Sequence, residues 1–163
     1  MAGQAELLLR RFGRRYAAVV RLATVPLIGA IALLRATPEH LVATALVVGV
    51  AVGWTCGYGW WLRRTDRALP VAVDVVVLLG VGLSVFVTDA VEHTNTGWLR
   101  LLVTFACVTY QWHTSSPVGL AAALVVDGGF LAATTVAAGG KPELVTSLLW
   151  VLVAAGLSRV TWL

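Results

Sequence analysis

Three ionisable side chains stand inside stretches that carry almost no other charge: Arg21, Asp74 and Asp127. A charge in an apolar segment is expensive to hold away from water, so each needs a partner, a wet cavity or a change of protonation. Arg21 lies about five residues into one apolar stretch and Asp74 about four into another, so both sit ~6–8 Å deep from the same side. They are expected to meet as a buried ion pair. That pair is either a static staple between two helices or a switch whose breaking moves them, and the staple is the plainer reading because one buried partner without the other is costly. Asp127 lies about ten residues into its stretch, ~15 Å deep, near a bilayer midplane. No cation is expected at that depth, whereas Thr104 is. Asp127 with Thr104 is therefore the candidate sensing or relay site. The plain alternative is a neutral carboxyl donating a hydrogen bond to a neighbouring helix.

Other constellations carry less. Gly49, Gly53 and Gly57 repeat a small residue every four positions, a doubled GxxxG pattern that lets two helix backbones approach. The face is an interface, either within the bundle or between two copies. Asp89, Glu92 and His93, followed by Asn95, have the spacing of a cation site if a helix extends that far. A solvated acidic loop is the commoner use of such a cluster, and no metal is expected. His40 and His113 fall near opposite membrane faces and cannot share one haem; no cofactor is expected. Cys56 and Cys107 both lie in apolar stretches and read as packing residues, not as a disulfide. There is no phosphate-cradling glycine loop, no HExxH, no CxxC and no Ser or Cys beside a base. The chain itself holds no catalytic machinery.

The elements that must position these residues follow from composition. Of 163 residues 59% are hydrophobic and 12% charged, with a mean hydropathy of +0.87; a soluble domain carries about twice that charge. The net charge of +4 is not a nucleic-acid signal, because the arginines cluster at the ends of apolar stretches and do not form a groove-tracking stripe. The expected fold is all-α: a six-span transmembrane helical bundle, one membrane domain over 1–163 with no soluble domain. The spans fall at about 16–34, 39–61, 70–88, 98–113, 117–138 and 143–162. Pro38, Pro70, Pro117 and Pro142 stand at or just before four of the starts, where a missing N–H costs nothing. Pro26 is expected to kink the first span. Ahead of it, residues 5–16 form a short amphipathic segment, with Leu8, Leu9, Phe12 and Tyr16 on one face and Arg10, Arg11, Arg14 and Arg15 on the other. It is expected to lie on the inner leaflet and to be retained, not cleaved as a signal peptide.

Orientation follows from the densest charge run, Arg63, Arg64, Asp66 and Arg67, between two apolar spans. The positive-inside rule puts this loop in the cytoplasm, and both chain ends with it. Arg10, Arg11, Arg14, Arg15, Arg21, Arg63, Arg64, Arg67 and Arg159 then lie on or near the inner side, nine of the twelve basic residues. Arg35, Arg100 and Lys141 lie on or near the outer side. Trp60, Trp61, Trp98, Trp112 and Trp162 fall near the interfaces and read as belt anchors; Trp54 and Trp150 lie deeper, where they could line a pocket.

Four stretches have a familiar look: Tyr16-Ala-Ala-Val-Val-Arg-Leu-Ala, Val71-Ala-Val-Asp-Val-Val-Val-Leu-Leu, Gly119-Leu-Ala-Ala-Ala-Leu-Val-Val-Asp127 and Leu152-Val-Ala-Ala-Gly-Leu-Ser-Arg159. Together they resemble the N-terminal multi-pass membrane region of actinobacterial sensor histidine kinases of the MacS-like group, with Arg21, Asp74 and Asp127 where that group tends to carry an Arg and two Asp. The resemblance spans nearly the whole chain. It implies a sensory input module of a two-component system, working as a homodimer in the cell membrane and signalling to a cytoplasmic kinase region. That region, with its phosphoacceptor histidine and ATP-binding domain, would follow the last span, so no kinase residue carries over. The expected partners are the lipid bilayer, a second copy and the kinase region or response pathway, with no nucleic acid. The rivals from other classes are a small transporter or permease-like subunit, relaying through Asp127 and the Arg21–Asp74 pair, and a non-catalytic membrane scaffold.

Overall fold

In a computed structural model, residues 2–65, 69–92, 95–139 and 143–162 are described, with side chains from Arg11 to Val160 apart from 143–149 and the gaps in the chain. The described residues are helical or in short turns, with no strand among them. Helix α1 is Ala2–Leu34, α2 Leu41–Arg64, α3 Leu69–Leu83, α4 Val85–Thr88, α5 Gly97–His113, α6 Ser116–Ala137 and α7 Glu143–Trp162. Segments rich in Val and Thr are poor helix formers in water. In hydrocarbon they have no alternative, because every backbone N–H and C=O must be bonded within the segment.

Among the described residues four stretches are long and apolar enough to cross a membrane: Arg11–Leu34, Leu41–Arg64, Leu69–Thr88 and Ser116–Ala137. The distribution of polarity agrees with a membrane setting. Leu27, Leu34, Val42, Leu46, Val76, Val87, Trp150 and Val160 point outward, while Arg21, Thr44, Thr55, Asp74, Thr109, Gln111 and Asp127 are buried. Water does not tolerate so continuous an apolar surface, and lipid does.

Helix boundaries have local causes. Pro70 and Pro117 lie in the first turns of α3 and α6. Arg63 and Arg64 occupy the last turn of α2, where cations meet the negative end of the helix dipole. The 70–88 span is not one helix. Ser84 interrupts it, its hydroxyl donating to the Val81 carbonyl at 2.6 Å and its N–H to the same carbonyl at 3.1 Å. A side chain competing for backbone acceptors, just after Gly80 and Gly82, breaks the regular ladder and restarts it as α4. Asp89 then ends α4 in the left-handed region at φ 51°, a conformation short polar side chains tolerate. The helix therefore does not carry Asp89 and Glu92 outward on one face, and His93 lies outside the described residues.

The N-terminal segment also differs from expectation. Residues 5–16 are not a separate surface helix but the beginning of α1, which runs unbroken through Tyr16 and through Pro26. At 33 residues it is ~50 Å long, well beyond the ~30 Å of a hydrocarbon core.

Helix α5 is the centre of the bundle, touching α1, α3, α6 and α7; α1 lies between α5 and α2, and α3 packs on α6 and α2. Glycines mark the closest approaches. A Cβ at Gly29 would stand 2.6 Å from Val48 Cγ1 across the α1–α2 seam, and one at Gly129 would collide with Leu79 across the α3–α6 seam. The Gly49, Gly53 and Gly57 ridge is different. It is exposed, and a Cβ at any of the three would meet nothing within 4 Å. Packing within the bundle is therefore not its use; the inward face of α2 is built from Thr44, Val48, Ala51, Thr55, Tyr58, Gly59 and Leu62.

Candidate functional site: a carboxylate bonded from three helices

Asp74 is fully enclosed, at 0% exposure, with Arg21 at 3%. Arg21 Nη1 lies 2.8 Å from Asp74 Oδ2. Tyr110 of α5 donates its hydroxyl to the same oxygen at 2.5 Å. Trp54 of α2 donates its indole N–H to Oδ1 at 2.7 Å. One carboxylate on α3 thus accepts from α1, α2 and α5. Bonds to an ionised acceptor are about twice as strong as neutral ones, and three of them offset much of the cost of removing the charge from water.

The guanidinium is enclosed as carefully. Its carbon lies 4.7 Å from the Tyr58 ring centre and 5.6 Å from that of Tyr110, so two aromatic faces take up positive charge on the sides Asp74 does not reach. The Tyr58 ring is held in turn through its hydroxyl. The Tyr58 hydroxyl is 3.0 Å from His113 Nε2, and His113 Nδ1 is 2.7 Å from the Thr109 carbonyl. A carbonyl only accepts, so Nδ1 carries the proton; in the neutral ring Nε2 then accepts from Tyr58. The result is one connected polar chain, Thr109–His113–Tyr58 packed on Arg21, which binds Asp74 with Tyr110 and Trp54.

The other expected site does not form. Asp127 is buried on α6, at 3% exposure, and its Oδ1 has no hydrogen-bond partner. The Thr104 hydroxyl bonds instead to the carbonyl of Arg100, one turn back on its own helix, at 2.7 Å. It lines a groove with Ile31 of α1 and Arg35 just beyond that helix, so no bond joins it to Asp127. A threonine in a helix can satisfy its hydroxyl on its own backbone, and equal depth alone does not make two helices face each other. Among the described residues no three His, Cys, Asp or Glu side chains gather as a metal would require, and both cysteines are free.

Residue types alone do not single out Tyr58 and Tyr110, they raise His113 only as a haem ligand, and they place Trp54 only where it could line a pocket. The available signal was polar-tipped aromatics at helical spacing: Trp54 and Tyr58 at i, i+4, and Tyr110 and His113 at i, i+3, each pair on one face. Trp98 was expected at the interface as an anchor and is instead buried in the core, whereas Trp150 faces outward. Trp162 has no described side chain. Arg159 of α7 makes a further polar tie. It donates to the carbonyls of Gln111 at 2.9 Å and Thr114 at 3.3 Å and to the Ser116 hydroxyl at 2.5 Å. One fork thereby caps the C-terminus of α5 and fastens α7 to the α5–α6 turn.

No family model, curated protein or solved structure matches the chain.

Proposed function

We propose that the chain is a membrane-embedded sensory input module, of the kind found ahead of a histidine kinase region in a two-component system. The observation that carries this reading is the Asp74 node. A single carboxylate holding α1, α2 and α5 to α3 is a device for fixing relative helix positions, and losing any one donor changes how the four helices sit. The chain would sit in the cell membrane with six crossings and both termini in the cytoplasm. The four long apolar stretches support the membrane setting. So does the enclosure of α5, whose polar side chains need not meet lipid although the helix has only 17 residues. The last helix, fastened by Arg159, is then the element that leaves the bundle toward the kinase region. The module works as a homodimer, with the open Gly49, Gly53 and Gly57 ridge of α2 as the seam, since small residues are what allow close helix contact in lipid.

The test joins Leu163, in helical register, to the dimerisation helix of a histidine kinase and measures autophosphorylation in proteoliposomes. Removing the acceptor charge with Asp74→Asn should shift the output at least several-fold in one direction. Equal output from wild type and variant removes the signalling reading. Substrate-dependent flux through the unfused chain in liposomes would replace it with the transporter.

A further inference from the structure

At the end of the bundle where α2 finishes, three arginines of α1 and two of α2 line one cavity of about 330 Å³: Arg11, Arg14 and Arg15 with Arg63 and Arg64, over a floor of Leu62. That volume is in the range of about 300–1,000 Å³ typical of small-molecule sites. The described lining contains five guanidinium groups and no carboxylate. Like charges brought together by folding repel one another, and a bound anion relieves that repulsion. The carbonyls at the end of α2, which would repel an anion, are partly covered: Arg14 Nη1 donates to the Thr65 carbonyl at 3.1 Å. The Arg64 guanidinium carbon lies over the Trp60 ring, 4.1 Å from its centre, a contact that restrains the side chain at the cavity's edge.

We infer that this cavity binds the headgroup of an anionic phospholipid carrying two phosphate groups. The guanidinium fork matches phosphate oxygens two at a time, and basic pockets between helices at the cytoplasmic side are where such headgroups bind. The surroundings favour a lipid over a soluble anion. Trp60 of α2, which lies under Arg64 of the lining, is exposed, and so is Val19 of α1, one turn beyond Arg15, apolar surface against which acyl chains can lie. Arg14 is two helical turns, ~10 Å, from the buried Arg21, so the cavity lies at the headgroup level if Arg21 lies just inside the hydrocarbon.

The experiment titrates the purified full chain in neutral detergent with lipid and follows thermal unfolding. Diphosphatidylglycerol should raise Tm more than phosphatidylglycerol, and phosphatidylcholine should leave it unchanged. The triple variant Arg11→Gln, Arg15→Gln, Arg63→Gln should weaken the apparent affinity at least tenfold, whereas Arg35→Gln with Arg100→Gln, at the other end, should not alter it. Arg14 is left intact because it holds the end of α2. If the glutamine variant fails to fold, Arg11→Lys, Arg15→Lys, Arg63→Lys keeps every charge and should still weaken binding several-fold. Unchanged affinity in the lysine variant would reduce the effect to surface attraction and overturn the site. An equal Tm rise with pyrophosphate alone would make the ligand a soluble polyphosphate and overturn the lipid assignment.

Discussion

Tyr110 and Arg21 approach the same oxygen of Asp74, at 2.5 and 2.8 Å, and Trp54 occupies the other. The carboxylate is thus the acceptor for three helices, and its charge is what all three contacts have in common. Asp74→Asn should therefore destabilise the protein by ~3–5 kcal/mol, the range for breaking a buried pair. Arg21 has little relief by reaching for the interface, because its side chain is turned inward and flanked by Tyr58 and Tyr110. Arg21→Met in the same chain should recover part of the loss, since no buried cation then remains unpaired. Thermal unfolding of both variants in one detergent checks this; equal stability of Asp74→Asn and wild type contradicts it.

Single donors should matter less. Tyr110→Phe and Trp54→Phe each remove one bond to a charged acceptor that keeps two others, so each should cost ~1.5–3 kcal/mol. Combined, they should cost more than their sum, because the last contact then carries the desolvation of the carboxylate alone. A double-mutant cycle on unfolding free energy measures this, and strict additivity would mean that the contacts are independent.

The glycines should divide by location. Gly→Ala within a helix gains about 1 kcal/mol from propensity, which Gly53→Ala should show, since nothing lies within reach of its Cβ. Gly29→Ala should instead lose stability. Its methyl would meet Val48 Cγ1 at 2.6 Å, and a β-branched side chain on a helix has little rotamer freedom to move aside. Gly53→Leu should abolish the proposed homodimer without lowering monomer stability, as read by cross-linking and unfolding together; loss of both would place the ridge inside the bundle after all.

Asp127→Asn should be structurally silent, within ~0.5 kcal/mol, because the replaced Oδ1 has no partner to lose. If Asp127 senses or relays a proton, the variant folds normally and loses output or flux. A variant that unfolds would show that the carboxyl supports the bundle.

Much of the axial arrangement was legible in the sequence, and little of the lateral one. Counting residues from span ends gives depth, and it put Arg21 and Asp74 at one level because both stand near the ends of apolar stretches. Depth says nothing of azimuth. Thr104 was placed at the level of Asp127 by the same arithmetic, yet it lies on the α1 side of α5 and bonds to its own helix. The doubled glycine pattern in α2 announced close approach without saying to what, and the approach within the bundle falls at Gly29 and Gly129. The aromatic donors were hidden for a related reason: depth placed Trp54 inside the span without a partner, and only helix packing shows that its indole and the Tyr110 hydroxyl reach Asp74.

Six crossings with both ends in the cytoplasm, as proposed, put residue 65 and the C-terminus on the side of the bilayer opposite residue 92. The most direct measurement places single reactive cysteines, in a Cys56→Ala and Cys107→Ala background, at Thr65, Glu92 and the C-terminal Leu163 and labels intact cells with a membrane-impermeant thiol reagent. The account predicts labelling at Glu92 from outside and protection of Thr65 and Leu163 until the membrane is opened. Labelling of Glu92 and Leu163 from the same side would contradict it.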